Sequence, residues 1–437
     1  MALEILTPES FQTFCEKVQT KSFMQSLEMA ELLSRRGYKV TYLGLRHGGD
    51  IQVAGVLYSL PMTGGLHMEI NSGPASLDQK YLGQFYQELQ NYAKTNGALE
   101  LIVKPYDTYQ TFDKQGRPLS TENKKNIQIL THLGFIHDGL QTGYPNGEPV
   151  WHFIKDLTNF EKNNLVSSFN SNGKRLIKKG HSYPITIRPL KREELSIFKD
   201  IQDATSERRG YQNKELDYYQ DFYDCFKNNV EFLVATINFK DYLEQLTIEK
   251  RLVRKEISQL EKNPTSKKIQ TKLSIERTKL LKIEKLLGQV QSFLAEGYTG
   301  DTAIASNLII YTKQESIYLF GGFYPQFSQF NAPYLLQEYA MQQAINKHIP
   351  LYNFLGITGE FDGSDGVLRF KQNFNGYIVR KMGTFRYYPS PIKYKFIQGI
   401  KKLLGRHYPY LSFIQGEIFY KVRIQKSPSL ARTLLFN

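Results

Sequence analysis

The sequence is poor in the residues that build disulfide and metal sites. It holds only two cysteines, Cys15 and Cys225, which stand far apart in a chain of 437 residues. Two distant cysteines support neither a disulfide framework nor a Cys-based zinc site, and they fit a reducing compartment. The eight histidines form no HExxH pair and no other metal-like cluster. We therefore expect a protein without a bound metal.

Long hydrophobic runs are missing as well. No window offers the ~18 consecutive apolar residues that a membrane-spanning helix needs. The first residues, MALEILTPESFQTF, lack the charged and apolar regions of a secretory signal. These two absences predict a soluble, cytoplasmic protein.

Several catalytic patterns are also absent. The phosphate-binding loops GxGxxG and GxxxxGK[ST] do not occur, and neither does the GxSxG turn of serine hydrolases. The Q/R-x-x-G-x-G/A turn expected of an enzyme that uses acyl-CoA is not found. These absences argue against a covalent intermediate and against CoA, and we expect no cofactor. What remains is a transfer reaction in which the protein positions two substrates and stabilises charge.

Positive charge and aromatic residues, by contrast, are plentiful. The formal net charge is +14, and aromatic residues make up 13% of the chain, with 29 Tyr and 28 Phe. The charge points to acidic partners such as nucleic acid, nucleotide phosphates or anionic lipid. The tyrosine surplus suits a groove for a polar ligand, and it equally suits the packing of aromatic-rich sheets.

The order of the predicted elements repeats along the chain. A helix, two strands, a further helix and a strand follow one another in residues 1–150, and the same order returns from about residue 151. The length also exceeds that of one ordinary core. We predict an α/β (α+β) fold with a first domain of residues 1–150 and a second domain of residues 151–240 and 297–395.

A heptad pattern interrupts the second half at residues 241–296. Apolar residues fall at spacings of seven, four and three before a helix breaker at 263–266, with Lys250 at the skipped position. After the breaker the spacings alternate between four and three, at positions that are all apolar except Glu276. This pattern predicts an antiparallel coiled-coil arm. The arm carries 12 Lys/Arg against 8 Asp/Glu. It is interpreted either as a solvated spacer or dimerisation arm, or as a basic arm along a nucleic-acid backbone.

The C-terminal tail, residues 396–437, is basic. Nine Lys/Arg stand against a single acidic residue between positions 393 and 432. Apolar residues alternate with this charge in KYKFIQGIKKLLGRHYPYL, a pattern that can rest on an anionic membrane surface. A packed surface helix explains the same pattern equally well.

One stretch, GVLRFKQNFNG at 366–376, places a lysine between two phenylalanines after a glycine-studded loop. We predict a strand here, with Lys371 at its end beside the loop. A cation in that position can meet a developing oxyanion or a phosphate. Asp362 and Asp365 are candidate general bases only through their closeness in sequence, and a plain loop role explains both.

At this point the sequence resembles the Fem/Mur (FemABX) family of aminoacyltransferases, which build peptidoglycan cross-bridges. The resemblance covers nearly the whole chain up to about residue 390. It is carried by AIASNLIIYTKQESIYLFGG, YLLQEYAMQQA, YNFLGITGEF and GVLRFKQNFNG, with support upstream from FMQSLEMAELLSRRGY, SFNSNGKRLIKKG and DATSERRGYQNKELDYY. It implies two tandem acetyltransferase-like (GNAT-type) domains, with the helical arm inserted in the second.

The resemblance also implies roles for particular residues. Phe370 and Lys371 fall on the family's Phe-Lys pair, whose lysine is held to be catalytic. The ERRGY stretch falls on the region that contributes an arginine and a tyrosine to the muropeptide site, which indicates Arg208 and Tyr211, with Arg209 as a competitor. The family pattern at this point is Arg-Asp-Gly-Phe-like, so the choice between the two arginines stays open.

Three further residues are candidates for the substrate site. A family lysine near the first helices corresponds to Arg36, or to its neighbour Arg35. Tyr318 and Tyr324 flank the LFGGF stretch and are expected either to line the same cleft or to pack in a sheet.

The function implied by the resemblance is the transfer of an amino acid from aminoacyl-tRNA to the stem-peptide lysine amine of lipid II or a UDP-linked muropeptide, without metal, ATP or CoA. Alanine, serine and glycine all stay open as the amino acid, and so does the oligomeric state. Two alternatives are a transferase of the same fold that modifies a protein or a lipid, and a non-catalytic tRNA-binding coiled-coil adaptor. A peripheral contact with the inner membrane face is compatible with each of them.

Overall fold

The computed structural model describes residues 3–262 and 266–403. The basic tail beyond residue 403 and most of the helix breaker at 263–266 lie outside the described residues, so the predictions made for them stay predictions.

The helices follow the start and stop signals of the sequence. Thr7 and Ser26 cap the first two helices with their side-chain hydroxyls, and Pro8 occupies the first helical position, where no amide donor is needed. The helices of the described residues are α1 (Pro8–Lys17), α2 (Leu27–Arg35), α3 (Leu82–Thr95), α4 (Lys125–His132), α5 (Ser171–Gly180), α6 (Leu195–Arg209), α7 (Leu216–Phe226), α8 (Phe239–Leu260), α9 (Lys267–Ala295), α10 (Ala332–Asn346), α11 (Gly366–Lys371) and α12 (Pro391–Leu403).

The strands are rich in β-branched and aromatic residues, as strands on a pleated, half-buried surface usually are. They are β1 (Leu3–Ile5), β2 (Lys39–His47), β3 (Asp50–Met62), β4 (Gly65–Asn71), β5 (Ala75–Ser76), β6 (Ala98–Lys104), β7 (Thr108–Phe112), β8 (Ile136–His137), β9 (Trp151–Asp156), β10 (Ile185–Pro189), β11 (Val230–Asn238), β12 (Asp301–Tyr311), β13 (Glu315–Phe323), β14 (Leu351–Ile357), β15 (Tyr377–Lys381) and β16 (Phe385–Tyr387).

These strands form two eight-stranded mixed sheets. The first has the order β1-β2-β3-β4-β6-β16-β8 with β5 beside β3, and the second has the order β10-β11-β12-β13-β14-β9-β15-β7. Each sheet contains one parallel pair, β4 with β6 and β13 with β14, and one helix, α3 or α10, connects the two strands of that pair. The structure thus confirms the predicted mixed α/β class and the repeated order of elements.

Two strands cross the predicted domain boundaries. The strand β7, from the first 150 residues, pairs with β15 in the second sheet. The strand β16, near the end of the second half, pairs with β6 and β8 in the first sheet. Each half of the chain therefore contributes one strand to the sheet of the other half. We propose that each domain is best defined by its sheet, and not by a boundary at residue 150.

The helices α8 and α9 pack along each other where the heptad pattern lies. Leu246 and Val253 of the first helix and Ile283 and Val290 of the second are buried in one cluster with the second sheet. Ion pairs link the outer faces of the two helices, among them Lys279 with Glu249.

The stretch around Lys371 is a helix, so the predicted strand at this position is wrong. The side chain of Asp365 accepts hydrogen bonds from the amides of Val367 and Leu368, and thereby caps α11. This cap satisfies amides that would otherwise have no partner at a helix start. A 3₁₀ turn over Gln372–Phe374 continues the helix.

Candidate functional site

The site lies where two parallel strands of the second sheet part. Residues Glu315–Ile317 of β13 pair with residues Leu351–Asn353 of β14, and the pairing of these two strands stops there. Within the described residues both strands continue further, β13 to Phe323 and β14 to Ile357. The diverging ends leave an opening in the middle of the sheet. Main-chain groups that would normally pair across the sheet are therefore available to other partners at this point.

A β-bulge shapes the β14 side of the opening. Between Asn353 and Gly356 the strand advances by one residue more than its partner β9. The extra residue leaves Leu355 with a φ of 55°, in the left-handed region that leucine rarely adopts. The side chain of Asn353 accepts a hydrogen bond of 2.8 Å from the Leu355 amide and so holds this conformation.

Asn353 is itself fixed by a buried polar network. Its side-chain nitrogen donates to the Glu315 carboxylate at 2.9 Å and to the Tyr106 hydroxyl at 3.1 Å. The Tyr106 hydroxyl in turn donates to the same carboxylate at 2.6 Å. Because these bonds use the amide nitrogen, the oxygen of Asn353 is left to face the bulge. The network therefore positions the main chain from which the site is built.

Lys371 reaches from the last turn of α11 into the bulge. Its Nζ atom donates to the carbonyl oxygens of Leu355 at 3.1 Å and of Gly356 at 2.5 Å. The residue is only 3% exposed, and no carboxylate forms an ion pair with it within the described residues. A protonated lysine has three donor hydrogens, so two carbonyl partners leave one hydrogen for a further acceptor.

The pKa of Lys371 is lowered to about 7, chiefly because burial disfavours the charged form. The Asp365 carboxylate opposes this shift, and the guanidinium of Arg209 adds to it. Both protonation states are therefore populated near neutral pH. The charged state offers a third donor to an oxyanion, whereas the neutral state would offer a lone pair instead.

Aromatic rings frame the lysine. The ring of Phe370 contacts the rings of Tyr334 and Phe374, with centroid distances of 5.0 and 5.3 Å. The Phe374 ring stacks on Phe354 of β14 at 5.2 Å. Phe370 is thus packed so that it holds α11 against the bulged strand.

The two candidate arginines at the end of α6 have different surroundings. The Arg208 guanidinium lies over the Phe323 ring at 4.6 Å and donates to the Phe323 carbonyl oxygen at 3.3 Å. Arg209 is exposed and has no hydrogen bond or ion pair to the described residues. Its charge nevertheless lowers the pKa of Lys371, so the two cations lie within electrostatic range of each other.

Two of the candidate tyrosines share the surroundings of Arg209. Burial raises the pKa of Tyr318 to about 12, while Arg209 lowers it. Burial also raises the pKa of Tyr211, which Arg209 and Arg208 oppose. The charge of Arg209 thus acts on Lys371, Tyr211 and Tyr318 alike, which indicates that these four residues lie within electrostatic range of one another.

The other two candidates lie elsewhere. Arg36 follows α2 and forms ion pairs with Asp217 and Asp221 of α7, at 3.7 and 3.3 Å. Tyr324 follows β13, packs on Phe327 and is influenced electrostatically by Asp200. None of these contacts joins Arg36 or Tyr324 to Lys371.

The two aspartates considered as general bases occupy different positions. The Asp365 carboxylate accepts hydrogen bonds from amides of α11, and it also accepts from the amide and the hydroxyl of Thr358, both at 3.0 Å. Although burial raises the pKa of Asp365, these bonds outweigh it and hold the pKa below its usual value. Asp362 is exposed and accepts from Ser364. Asp365 therefore serves to cap α11 and to influence Lys371 through its charge.

Sequence reasoning missed Tyr144. A side chain at Gly356 would approach the Tyr144 ring to 2.8 Å, so this ring lies against the strand that binds Lys371. Burial raises the pKa of Tyr144 to about 12, and both Asp365 and Arg209 act on it. Tyr144 also lines a shallow, open depression of the surface with Leu140, Gln141, Thr142 and Pro145. The stretch carries no motif, and only the fold brings it to the site.

Neither a metal cluster nor a membrane span is found in the described part of the chain. No group of three or more His, Cys, Asp or Glu side chains is placed to hold a metal ion there. No described helix combines the length and the apolar composition that crossing a bilayer requires.

The chain is similar to known proteins over most of its length. A model of the FemAB family matches residues 6–402. Aminoacyltransferase FemA of Staphylococcus aureus strain bovine RF122 / ET3-1 is 27% identical over 398 residues, which cover 87% of this chain and 93% of that protein. FemA of strain N315 matches with the same identity and coverage. The crystal structure of FemX superposes with a TM-score of 0.73 at 19% identity, covering 92% of this chain and 100% of the FemX chain. At this identity the likeness to FemX shows a shared fold.

Proposed function

The chain belongs to the FemAB family and is an aminoacyltransferase, and we propose that it extends the stem peptide of a peptidoglycan precursor. The donor is aminoacyl-tRNA, and the acceptor is the side-chain amine of the stem-peptide lysine on lipid II or a UDP-linked muropeptide. The observation that carries this proposal is the buried Lys371, whose third donor hydrogen points to no partner of its own within the described residues.

The chemistry needs no protein nucleophile, because the ester on the tRNA is already activated. The acceptor nitrogen attacks the ester carbonyl carbon, and a tetrahedral oxyanion forms. The bond from this carbon to the 3′-oxygen of the terminal ribose then breaks, and the amine proton leaves to solvent or to that oxygen. The charged Lys371 stabilises the oxyanion or the departing oxygen, as a preorganised donor in a dry site does.

Arg209, Tyr211 and Tyr318 are assigned to the acceptor. Arg209 is the arginine of the pair whose guanidinium is free to bind the diphosphate of the precursor, since a planar guanidinium matches phosphate oxygens. Phe370 holds α11 in place. Arg36 is assigned to the wider substrate surface. To contact a substrate there, Arg36 would have to break part of its ion pairing with α7.

The test is a transfer assay with purified protein, tRNA charged with alanine, serine or glycine, and lipid II or the UDP-linked muropeptide. We expect the mass of the stem peptide to rise by one residue with one of these tRNAs. If no residue is added with any of them, but one is added to a protein or lipid acceptor, the peptidoglycan assignment is wrong.

We also propose that α12 rests on the anionic bilayer that carries the lipid-linked precursor. Ile392, Phe396 and Ile400 recur every four residues and are 83%, 69% and 40% exposed, while Ile397 is buried. Lys393 and Lys395 flank this apolar stripe, so its charge complements an anionic surface. Full-length protein with Phe396→Glu should bind phosphatidylglycerol vesicles less than the parent does. Equal binding of the variant and the parent would contradict the assignment. So would the finding that the chain after residue 403 covers this apolar stripe.

A further inference from the structure

The helix α5 presents charge of one sign beside the site. Lys174, Arg175, Lys178 and Lys179 are exposed, and residues 171–180 include no acidic residue. Within the described residues none of these four cations forms an ion pair. Arg175 does donate to the neighbouring Asn172 side chain, at 2.8 Å. Four uncompensated cations on ten residues of helix attract a polyanion.

The helical arm differs in this respect. Its charges are mixed along its length, and several cations are matched by acids on the opposite helix. Lys272, Arg277 and Lys279, for example, pair with glutamates at 2.6, 2.7 and 2.9 Å. A phosphate backbone would have to compete with these glutamates on the arm, whereas on α5 it would not.

The helix α5 is joined directly to the segment that carries Lys371. The side chain of Asn170 donates to the Gln372 carbonyl oxygen at 3.1 Å, and that of Asn172 donates to the Asn373 side-chain oxygen at 2.8 Å. The side chain of Asn373 in turn donates to the Phe370 carbonyl oxygen at 3.0 Å. Gly173 lies so close to the Asn373 carbonyl oxygen that a Cβ atom would overlap it. A ligand that binds to α5 and shifts it would therefore also shift the segment that begins one residue after Lys371.

The basic face continues toward the aromatic frame of the lysine. The charge of Arg175 reaches Tyr334, where it opposes the rise in pKa that burial causes. The Tyr334 ring packs on Phe370 at 5.0 Å. A strand that follows the cations of α5 would thus arrive at aromatic rings next to Lys371, and such rings suit the bases of a single-stranded end.

The surface of α5 fits nucleic acid better than a bilayer. An interfacial helix needs exposed apolar side chains to enter the headgroup region. No large exposed apolar residue belongs to α5, whereas α12 exposes three of them. Phosphate contacts, in contrast, need only lysine and arginine.

We propose that the exposed face of α5 binds the phosphate backbone near the 3′ end of the RNA substrate and directs that end to Lys371. This inference rests on the proposed function, because it assigns the donor RNA to a surface. The partner is an RNA stem with a single-stranded 3′ end, and the arm lies outside the main contact.

The test compares two variants of the full chain that remove the same charge. One variant carries Lys174→Gln, Arg175→Gln, Lys178→Gln and Lys179→Gln. The control carries Lys255→Gln, Lys268→Gln, Lys282→Gln and Lys285→Gln, which are exposed arm cations without an ion pair in the described residues. Binding of an uncharged RNA minihelix that ends in single-stranded CCA is measured over a range of salt concentrations. Melting temperatures check that both variants fold.

The α5 variant should bind the minihelix more weakly at low salt, and its slope of log affinity against log salt should be less steep by about 3. The arm variant should keep the slope of the parent. Equal losses in the two variants, or a parent slope in the α5 variant, would overturn the inference. So would an unchanged RNA affinity together with weaker binding to phosphatidylglycerol vesicles, because that result would assign α5 to the membrane.

Failure of the inference can be told apart from failure of the proposed function. If the α5 variant transfers the amino acid with an unchanged KM for aminoacyl-tRNA, the inference is wrong and the function stands. If the minihelix binds through α5 but no precursor is ever extended by the parent protein, the inference stands and the function is wrong.

Discussion

The ammonium group of Lys371 donates a hydrogen bond of 3.1 Å to the carbonyl oxygen of Leu355, a residue whose φ of 55° lies in the left-handed region. The two features depend on each other. The bulge turns the carbonyl oxygen into the opening of the sheet, and the lysine gives that buried oxygen a donor. The strained strand and the functional cation therefore form one unit, as strain at an active site often does.

The protonation state of Lys371 should govern the rate. An aminooxy analogue of the acceptor side chain is neutral throughout the useful pH range, so titration of the acceptor does not contribute to the pH dependence. Because the pKa of Lys371 is about 7 and the charged form stabilises the oxyanion, we expect kcat/KM with this acceptor to fall as pH rises through about 7. The measurement is the initial rate between pH 6 and 8.5.

The variant Lys371→Arg serves as the control, since arginine stays charged over this range. Any activity that it retains should not fall across pH 7. A rate that rises through pH 7 in the parent but not in Lys371→Arg would mean that neutral Lys371 acts as a base, contrary to the role assigned here.

The buried cation should also weaken the fold below its pKa. Lys371 releases its proton near pH 7 in the folded protein, whereas an unfolded chain keeps it to about 10.4. The unfolded state then binds more protons, so the free energy of unfolding rises with pH between these values. Relative to Lys371→Met, the parent should gain thermal stability from pH 6.5 to pH 9. A difference in melting temperature that stays constant over this range would contradict the lowered pKa.

Arg209 and Arg208 should differ as contacts for the acceptor. Arg209→Ala removes a guanidinium with no partner among the described residues, whereas Arg208→Ala removes one that already lies on Phe323. A hydrogen bond to a charged group contributes about 1.5–3 kcal/mol. We therefore expect Arg209→Ala to raise the KM for the muropeptide by roughly 10- to 100-fold with little change in kcat. A larger rise in KM for Arg208→Ala would reverse the assignment.

Close packing of α5 on the segment after Lys371 should matter for the rate. In Gly173→Ala the new methyl group would overlap the Asn373 carbonyl oxygen, so one of the two segments must move. We expect a lower melting temperature and a lower kcat. Circular dichroism melting and the transfer assay measure these two quantities.

Gly288→Ala in α9 is the matched control. It lies in a helix with open space where the Cβ atom would stand. Alanine favours a helix over glycine by about 1 kcal/mol, so this variant should be slightly more stable and fully active. A parent-like kcat in Gly173→Ala would show that the contact of α5 with Asn373 does not position the site.

Most of the fold can be predicted from the sequence, because the hydrophobic periodicity and the residues that start and stop helices and strands agree along most of the chain. Thr7 and Pro8 form a helix-start signal where α1 begins, and Gly48 and Gly49 supply the turn that joins β2 to β3. The prediction for the segment around Lys371 is wrong because its apolar residues were assigned to a strand. The signal for a helix was present, since Asp365 followed by glycine and an apolar run is a helix start.

The parts that could not be predicted depend on contacts between distant segments. The exchange of β7 and β16 between the sheets has no local signature. The difference between Arg208 and Arg209 arises from Phe323, more than a hundred residues away in sequence. Tyr144 likewise lies against Gly356, whose carbonyl oxygen accepts from Lys371, only through the packing of its loop on β14.

The most direct test of the account is amino-acid transfer by Lys371→Ala, measured by mass analysis of the stem peptide, together with the affinities for tRNA and muropeptide. Lys21→Met is the control, because Lys21 is also buried and its ammonium group also donates to a main-chain carbonyl oxygen, that of Gln25 at 3.2 Å. Removal of one oxyanion donor typically lowers kcat by roughly 10²- to 10³-fold. The account predicts such a loss for Lys371→Ala with both affinities retained, and a kcat close to that of the parent for Lys21→Met. An unchanged kcat in Lys371→Ala would contradict it.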